Sequence, residues 1–68
     1  MLKLYKVLVV DDCPVARRKI IDIINSSEQL QVVGEAGDGD TALVLIADLK
    51  PDVVTLDVIM PRPGRRKR

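Results

Sequence analysis

The hydrophobic positions of this chain fall into short continuous runs separated by segments with helical spacing. Two runs, Lys6–Val10 and Val53–Asp57, are nearly uninterrupted and rich in valine, which is typical of strands buried on both faces of a sheet. A weaker run, Gln31–Ala36, contains Gly34 and Glu35 and is predicted to form a strand at the edge of the sheet.

Two segments between these runs have the spacing of amphipathic helices. The first begins at Pro14, whose missing N–H is not needed in the first helical turn, and we expect it to end near Asn25–Ser27. The second follows Asp38, a predicted N-cap, and ends before Pro51. The residues expected to face the sheet are Ala16, Ile20, Ile23 and Ile24 in the first helix and Ala42, Leu45, Ile46 and Leu49 in the second, with Arg17, Arg18, Lys19 and Asp22 largely on the opposite side.

The resulting order, β-α-β-α-β, predicts an α/β fold with a parallel sheet and right-handed crossovers. If the second crossover returns past the first strand, the strands lie in the order 2-1-3 and the helices cover opposite faces. If both crossovers run the same way, the order is 1-2-3. The edge-like composition of Gln31–Ala36 favours the order 2-1-3.

Composition limits the chemistry that the chain can perform. With 68 residues it is one domain at most and can bury only a marginal core. The absence of histidine excludes histidine bases and histidine metal sites, and the single cysteine, Cys13, excludes a disulfide or a cysteine zinc site within one chain. No apolar run approaches the ~20 residues of a spanning helix, so we expect a cytoplasmic protein that does not associate with membranes.

Acidic residues stand at the ends of the two strong strand candidates. Asp11 and Asp12 follow the first strand and Asp57 ends the third, and in the order 2-1-3 these strands are neighbours, ~4.8 Å apart. Ligands of open α/β sheets bind at the carboxyl ends of the strands. Converging carboxylates repel one another and remain charged only beside a cation, and oxygen ligands of this kind suit Mg²⁺.

An aspartate held beside such a cation can attack phosphorus and form an aspartyl phosphate. The three acids are therefore consistent with metal-assisted phosphoryl transfer to an aspartate. On spacing alone, an equally weighted alternative is that they are solvated caps and turn formers.

Three motifs follow one another along the chain: Val7–Asp12, then Gly34–Ala36 with Asp38–Gly39, then Lys50–Pro61. Together they resemble the receiver domain of two-component response regulators, over a stretch from about residue 5 to residue 61. The residues Thr55–Val58, together with Met60 and Pro61, are most similar to receivers of the chemotaxis methylesterase type.

The resemblance implies a truncated flavodoxin-like fold, with residues 1–61 as the amino-terminal half of a receiver. Residues 62–68 do not resemble the family, and their proline, glycine and five basic residues predict a basic, disordered tail. The resemblance also implies that Asp57 is the phosphoacceptor, and that Asp11 and Asp12 hold Mg²⁺, with Asp12 the more direct ligand. The backbone carbonyl of Ile59 would be a further ligand. A sensor histidine kinase would be the phosphodonor, and the chain itself would not be an enzyme, because a receiver accepts the phosphoryl group on itself.

The resemblance covers only about half of a receiver. The family residues that bind the phosphoryl oxygens, a Ser or Thr and a Lys, belong to the other half, so we expect Asp57 to be an impaired acceptor in this chain. The strand Val53–Asp57 would also lack the neighbour that normally covers it. An uncovered apolar edge favours pairing with another chain, and we expect self-association through Val53–Asp57.

Three hypotheses follow. The first is a signalling receiver phosphorylated on Asp57, and the second is an assembly module that keeps the half-fold without phosphoryl chemistry. The third, least favoured, is a small nucleic-acid binder that uses the basic residues Arg62 and Arg65–Arg68. The basic segment has no interleaved aromatic residues, and a solvated tail is the simpler interpretation.

Overall fold

A computed structural model describes residues 3–57, the last of them by its backbone alone. Ile59 and the basic segment 62–68 lie outside the described residues. No helix within the described range is long and apolar enough to cross a membrane. The elements are the strands β1 (Tyr5–Asp11), β2 (Leu30–Ala36) and β3 (Val53–Asp57) and the helices α1 (Pro14–Asn25) and α2 (Gly39–Leu49).

The three strands form one parallel sheet in the order β2-β1-β3, as predicted. Strands β1 and β3 pair in continuous register, from Val7 opposite Val53 to Asp11 opposite Asp57. The β1–β2 register shifts once, because Val7 lies opposite Val32 whereas the next β1 residue lies opposite Gly34. The edge position predicted for β2 is confirmed, and the order places the carboxyl ends of β1 and β3 side by side.

Strand β1 is the centre of the molecule and is covered on both faces. Side chains alternate along a strand, so Val7 and Val9 pack with α1 while Leu8 and Val10 pack with α2. The predicted placement of the helices on opposite faces is therefore confirmed. The α1 cluster is completed by Ile21 and Ile24, with Ile20, Leu30 and Val32 at its margin, and the α2 cluster by Ala36 and Ala42, with Leu45 at its margin.

The predicted buried stripe of α1 is wrong at one position. Ile23 is 69% exposed, and Ile21 is buried in its place. Isoleucines at 20, 21, 23 and 24 allow two stripes of similar helical spacing, and packing against β1 and the start of β2 selects the one through Ile21. In α2, Ala42 and Leu45 pack on the sheet as predicted, whereas Ile46 lies on the exposed side.

Strand β3 is not buried on both faces, contrary to the prediction from its apolar sequence. Within residues 3–57 neither helix packs over it, and its contacts are with β1. Val53, Val54 and Leu56 are 43%, 38% and 69% exposed. The apolar run predicted the strand correctly, but burial depends on what lies beside it.

The connection from α2 to β3 holds β3 in register. Lys50, at the C-cap of α2, adopts the left-handed conformation with φ 49°, and Pro51 follows. Asp52 then bonds to Lys6 twice, since its N–H donates to the Lys6 carbonyl (2.8 Å) and its Oδ2 accepts from the Lys6 N–H (2.8 Å). These bonds fix the start of β3 beside β1, and the continuous register carries the alignment to Asp57.

Candidate functional site

The carboxyl ends of β1 and β3 meet at one edge of the sheet. Asp11 is the last residue of β1 and lies opposite Asp57, the last residue of β3. Asp12 and Cys13 follow Asp11 and lead directly into α1 at Pro14. Strand order reverses at β1, so this edge is the point where open α/β sheets bind their ligands.

Asp11 is a buried acid, 2% exposed, in an otherwise apolar strand. Its Oδ1 accepts from the Cys13 N–H at 2.9 Å, which closes a small turn after the strand. Its Oδ2 is buried and has no hydrogen-bond partner among the described residues. An unpaired buried carboxylate oxygen is costly, and a cation is a partner that offsets this cost.

Asp12 and Cys13 differ from Asp11 in being exposed. Asp12 is therefore open to a ligand from solvent, while Asp11 faces inward. The Cys13 backbone is extended at the N-cap of α1 and its side chain makes no capping hydrogen bond. Its thiol is free and exposed, and we assign it no part in the site.

Arg17 is the residue that sequence reasoning missed. It was predicted to lie largely on the solvent side of α1, but it is half-buried and points to the strand ends. Its Nη1 donates to the backbone carbonyl of Asp11 (2.7 Å) and its Nε to Oε1 of Glu35 (2.8 Å). The only sequence signal is its position one turn after the acid pair, on the first turn of the helix that leaves the site.

Thr55 is a second feature that the sequence did not reveal. It lies opposite Val9, two residues before Asp57, and its Oγ1 is buried without a partner among the described residues. Side-chain alternation puts Thr55 and Asp11 on the same face of the sheet, the face that α1 covers. The two buried side-chain oxygens that lack a hydrogen-bond partner among the described residues, Asp11 Oδ2 and Thr55 Oγ1, therefore lie on that face.

The described side chains supply only part of the predicted set of metal ligands. No three acidic or cysteine side chains among them come together as a metal site. Asp11 and Asp12 supply two carboxylates, and the register brings the backbone of Asp57 alongside. A third carboxylate from Asp57 and the carbonyl of Ile59 stay predictions.

Comparison with known proteins identifies a family that matches this chain. A family model described as the response regulator receiver domain matches residues 7–64. A protein-glutamate methylesterase/protein-glutamine glutaminase of Vibrio vulnificus is 55% identical over 62 residues, which are 91% of this chain and 18% of that protein. A protein of the same description from Pyrococcus horikoshii is 56% identical over 57 residues, 84% of this chain and 16% of that protein.

A solved structure agrees with these matches. The response regulator domain of Thermotoga maritima CheB superposes with a TM-score of 0.82 at 45% sequence identity, over 88% of this chain and 45% of that one. This chain thus spans under a fifth of the two matched methylesterases and less than half of the solved domain.

Proposed function

This chain belongs to the response regulator receiver domain family, and we propose that it accepts a phosphoryl group on Asp57 with Mg²⁺ held by Asp11 and Asp12. The observation that carries this proposal is the register that sets Asp11 opposite Asp57 at the switch point of the sheet. The two matched relatives are described as protein-glutamate methylesterase/protein-glutamine glutaminase, and these activities are those of proteins about five times as long. For this chain the absence of enzyme activity stays a prediction.

The proposed chemistry is transfer of a phosphoryl group from a phosphohistidine to an aspartate. A carboxylate oxygen of Asp57 attacks phosphorus, the phosphorus–nitrogen bond to the donor imidazole breaks, and the imidazole keeps the electron pair. A sensor histidine kinase is the donor that this chemistry implies. We propose that the reaction takes place in the cytoplasm, the location predicted from the sequence.

Asp11 and Asp12 are proposed to hold the cation in different ways. Asp11 is buried with one oxygen fixed by the Cys13 N–H and the other left without a donor among the described residues, which supports a ligand role. Asp12 is exposed and is proposed as the more direct ligand, with the Ile59 carbonyl as a further one. Mg²⁺, when bound, neutralises charge on the phosphoryl oxygens and so favours the transfer.

Metal binding tests the proposal most directly. Isothermal titration of the 68-residue chain with Mg²⁺ is expected to give binding heat that Asp12→Asn abolishes, because the substitution removes a negatively charged ligand. Asp48→Asn is the matched control, since Asp48 is an exposed acid of α2. Equal binding by the wild type and Asp12→Asn would rule out the site.

Phosphate labelling is the second arm of this experiment. Intact mass after incubation with acetyl phosphate and Mg²⁺ should show slow, incomplete labelling that is lost in Asp57→Asn. Transfer depends on fixed groups around the phosphoryl oxygens, and residues 3–57 offer few of them. Rapid stoichiometric labelling would show that the expected impairment is wrong, whereas labelling that persists in Asp57→Asn would remove Asp57 as the acceptor.

A second candidate function is supported by the exposure of β3. No helix of the described part covers this strand, and three of its apolar side chains are exposed. A chain with such an edge can act as an assembly module that pairs with a second copy through Val53–Asp57. Sedimentation of the 68-residue chain tests this function independently of metal and phosphate. Binding of nucleic acid finds no support among residues 3–57, and the basic segment lies outside them.

A further inference from the structure

The guanidinium of Arg17 joins the carboxyl ends of two strands. Nη1 donates to the carbonyl of Asp11, the last residue of β1, at 2.7 Å. Nε donates to Glu35, the penultimate residue of β2, at 2.8 Å. The guanidinium also lies close to Gly37. A Cβ atom added to this glycine would be only 3.2 Å from Nη1.

These contacts restrain the turn that carries the acid pair. The Asp11 carbonyl begins the peptide unit that leads to Asp12, and Arg17 holds it from one side. Inside the turn, the Cys13 N–H donates to the Asp11 carboxylate. On the helix side, the Arg17 N–H donates to the Cys13 carbonyl at 2.9 Å. The side chain and the backbone of Arg17 therefore hold both ends of the three-residue turn.

A contribution to stability alone is a weak explanation for this arrangement. The Glu35 end of the ion pair is exposed, and ion pairs of this kind add little to folding. The bond to the Asp11 carbonyl is partly buried and lies at the site. It also needs the fixed fork of a guanidinium, because a lysine ammonium is a single point charge and does not hold two acceptors in one plane.

We propose that Arg17 is a positioning residue that orients the Asp11–Cys13 turn and thereby sets the divalent-cation affinity of the acidic site. The part that concerns affinity rests on the proposed function of that site. The positioning itself is observable without a metal, through the Cys13 N–H that bonds to Asp11.

Titration with Mg²⁺ alone separates positioning from charge. Arg17→Lys keeps the positive charge but loses the fork, and we expect it to weaken binding by about three- to tenfold. Arg18→Lys is the matched control, since Arg18 is exposed on the same helix, and it should bind as the wild type does. If Arg17 acted only through its charge, Arg17→Lys would be unchanged and Arg17→Gln would bind more tightly, and that result overturns the proposal.

Amide proton exchange of Cys13, measured by NMR without metal, distinguishes failure of this proposal from failure of the proposed function. Faster exchange in Arg17→Lys than in the wild type is expected, and it upholds the positioning role even if the wild type binds no Mg²⁺. Glu35→Ala, which leaves Arg17 in place but removes the acceptor of its Nε–H, should shift exchange in the same direction and serves if Arg17→Lys fails to fold. Unchanged exchange of the Cys13 amide in folded variants overturns the proposal, whether or not these variants lose stability to urea.

Discussion

At the scale of single residues, two buried oxygens, Asp11 Oδ2 and Thr55 Oγ1, have no hydrogen-bond partner among the described residues, and they call for different explanations. Asp11 Oδ2 lies at the predicted cation site, and a bound cation would satisfy it. Thr55 Oγ1 lies two residues before the end of β3 and is buried beside β1 without a partner among the described residues. A buried hydroxyl that makes no hydrogen bond lowers stability by ~1–3 kcal/mol.

Replacement of Thr55 by valine is therefore expected to stabilise the protein. Thr55→Val keeps the branched shape and removes the unpaired hydroxyl, so urea unfolding should show a free energy of unfolding higher by about 1 kcal/mol. Thr55→Ser is the matched control, because it keeps the hydroxyl and loses the methyl group, and it should be less stable than the wild type. A valine variant that is equally or less stable would show that the hydroxyl has a partner.

The residues of the site differ in how far sequence predicted them. Asp11 and Asp12 follow an apolar run, and a strand end is where such acids are expected. Arg17 could not be predicted, because its partner Glu35 is eighteen residues away and reaches it only once the sheet order is set. Ile21 was missed for a related reason, since helical spacing alone does not choose between two equivalent apolar stripes.

At the scale of elements, the two helices begin in different ways. At the N-cap of α2, the Asp38 side chain accepts the Thr41 N–H at 2.7 Å, and Asp40 adds a negative charge to the first turn. At the start of α1, Cys13 makes no such bond and the first turn contains no acid. Pro14 and the N-cap Asp38 predicted the two starts, and the segment Asn25–Ser27 and Pro51 predicted the two ends to within a residue or two.

The cap of α2 predicts a dependence of stability on pH. The backbone and side-chain hydrogen bonds from Thr41 lower the pKa of Asp38, so its carboxylate is favoured in the folded state. The stabilisation is present in full above the ordinary aspartate pKa of ~3.9, and it is lost as pH falls through the lowered folded value. Urea unfolding at about pH 6 and about pH 2 should show a larger loss of stability in the wild type than in Asp38→Asn.

Asparagine is the suitable comparison because it still caps the helix but does not titrate. Other acids titrate in both proteins, so the quantity to compare is the difference between wild type and variant at each pH. That difference should favour the wild type near neutrality and shrink in acid. A difference that is constant with pH would contradict the role assigned to the Asp38 charge.

At the scale of the whole molecule, strand composition predicts one edge of the sheet but not the other. Strand β2 contains Gly34 and Glu35 and lies at one edge, as its sequence predicts. Strand β3 lies at the other edge although its sequence reads as a central strand, with Val53, Val54 and Leu56 exposed. Its apolar character shows that it is suited to a neighbour, but the sequence of the strand does not say which chain supplies it.

Strand β3 is complementary to itself in an antiparallel arrangement. If two copies pair with Thr55 opposite Thr55, Val54 of each copy lies opposite Leu56 of the other, on the same face. Apolar cross-strand pairs of this kind stabilise a sheet, and the two-fold axis makes both of them at once. The result would be a dimer with one six-stranded sheet, in which the acidic ends of β1 and β3 lie near the seam between the two copies.

We therefore predict that the 68-residue chain is a dimer at micromolar concentration. Val54→Lys places a charge on the shared edge, a feature that natural proteins use to prevent edge pairing, and it should weaken the dimer about tenfold or more. Val44→Lys is the matched control, because Val44 is exposed on α2 and takes no part in the pairing. Sedimentation velocity over a range of concentrations should show the wild type and Val44→Lys as dimers and Val54→Lys shifted to monomer. A wild-type monomer whose melting temperature does not change with concentration would contradict the prediction and would leave phosphoryl transfer as the better-supported function, because the assembly function depends on β3 being an available edge in solution.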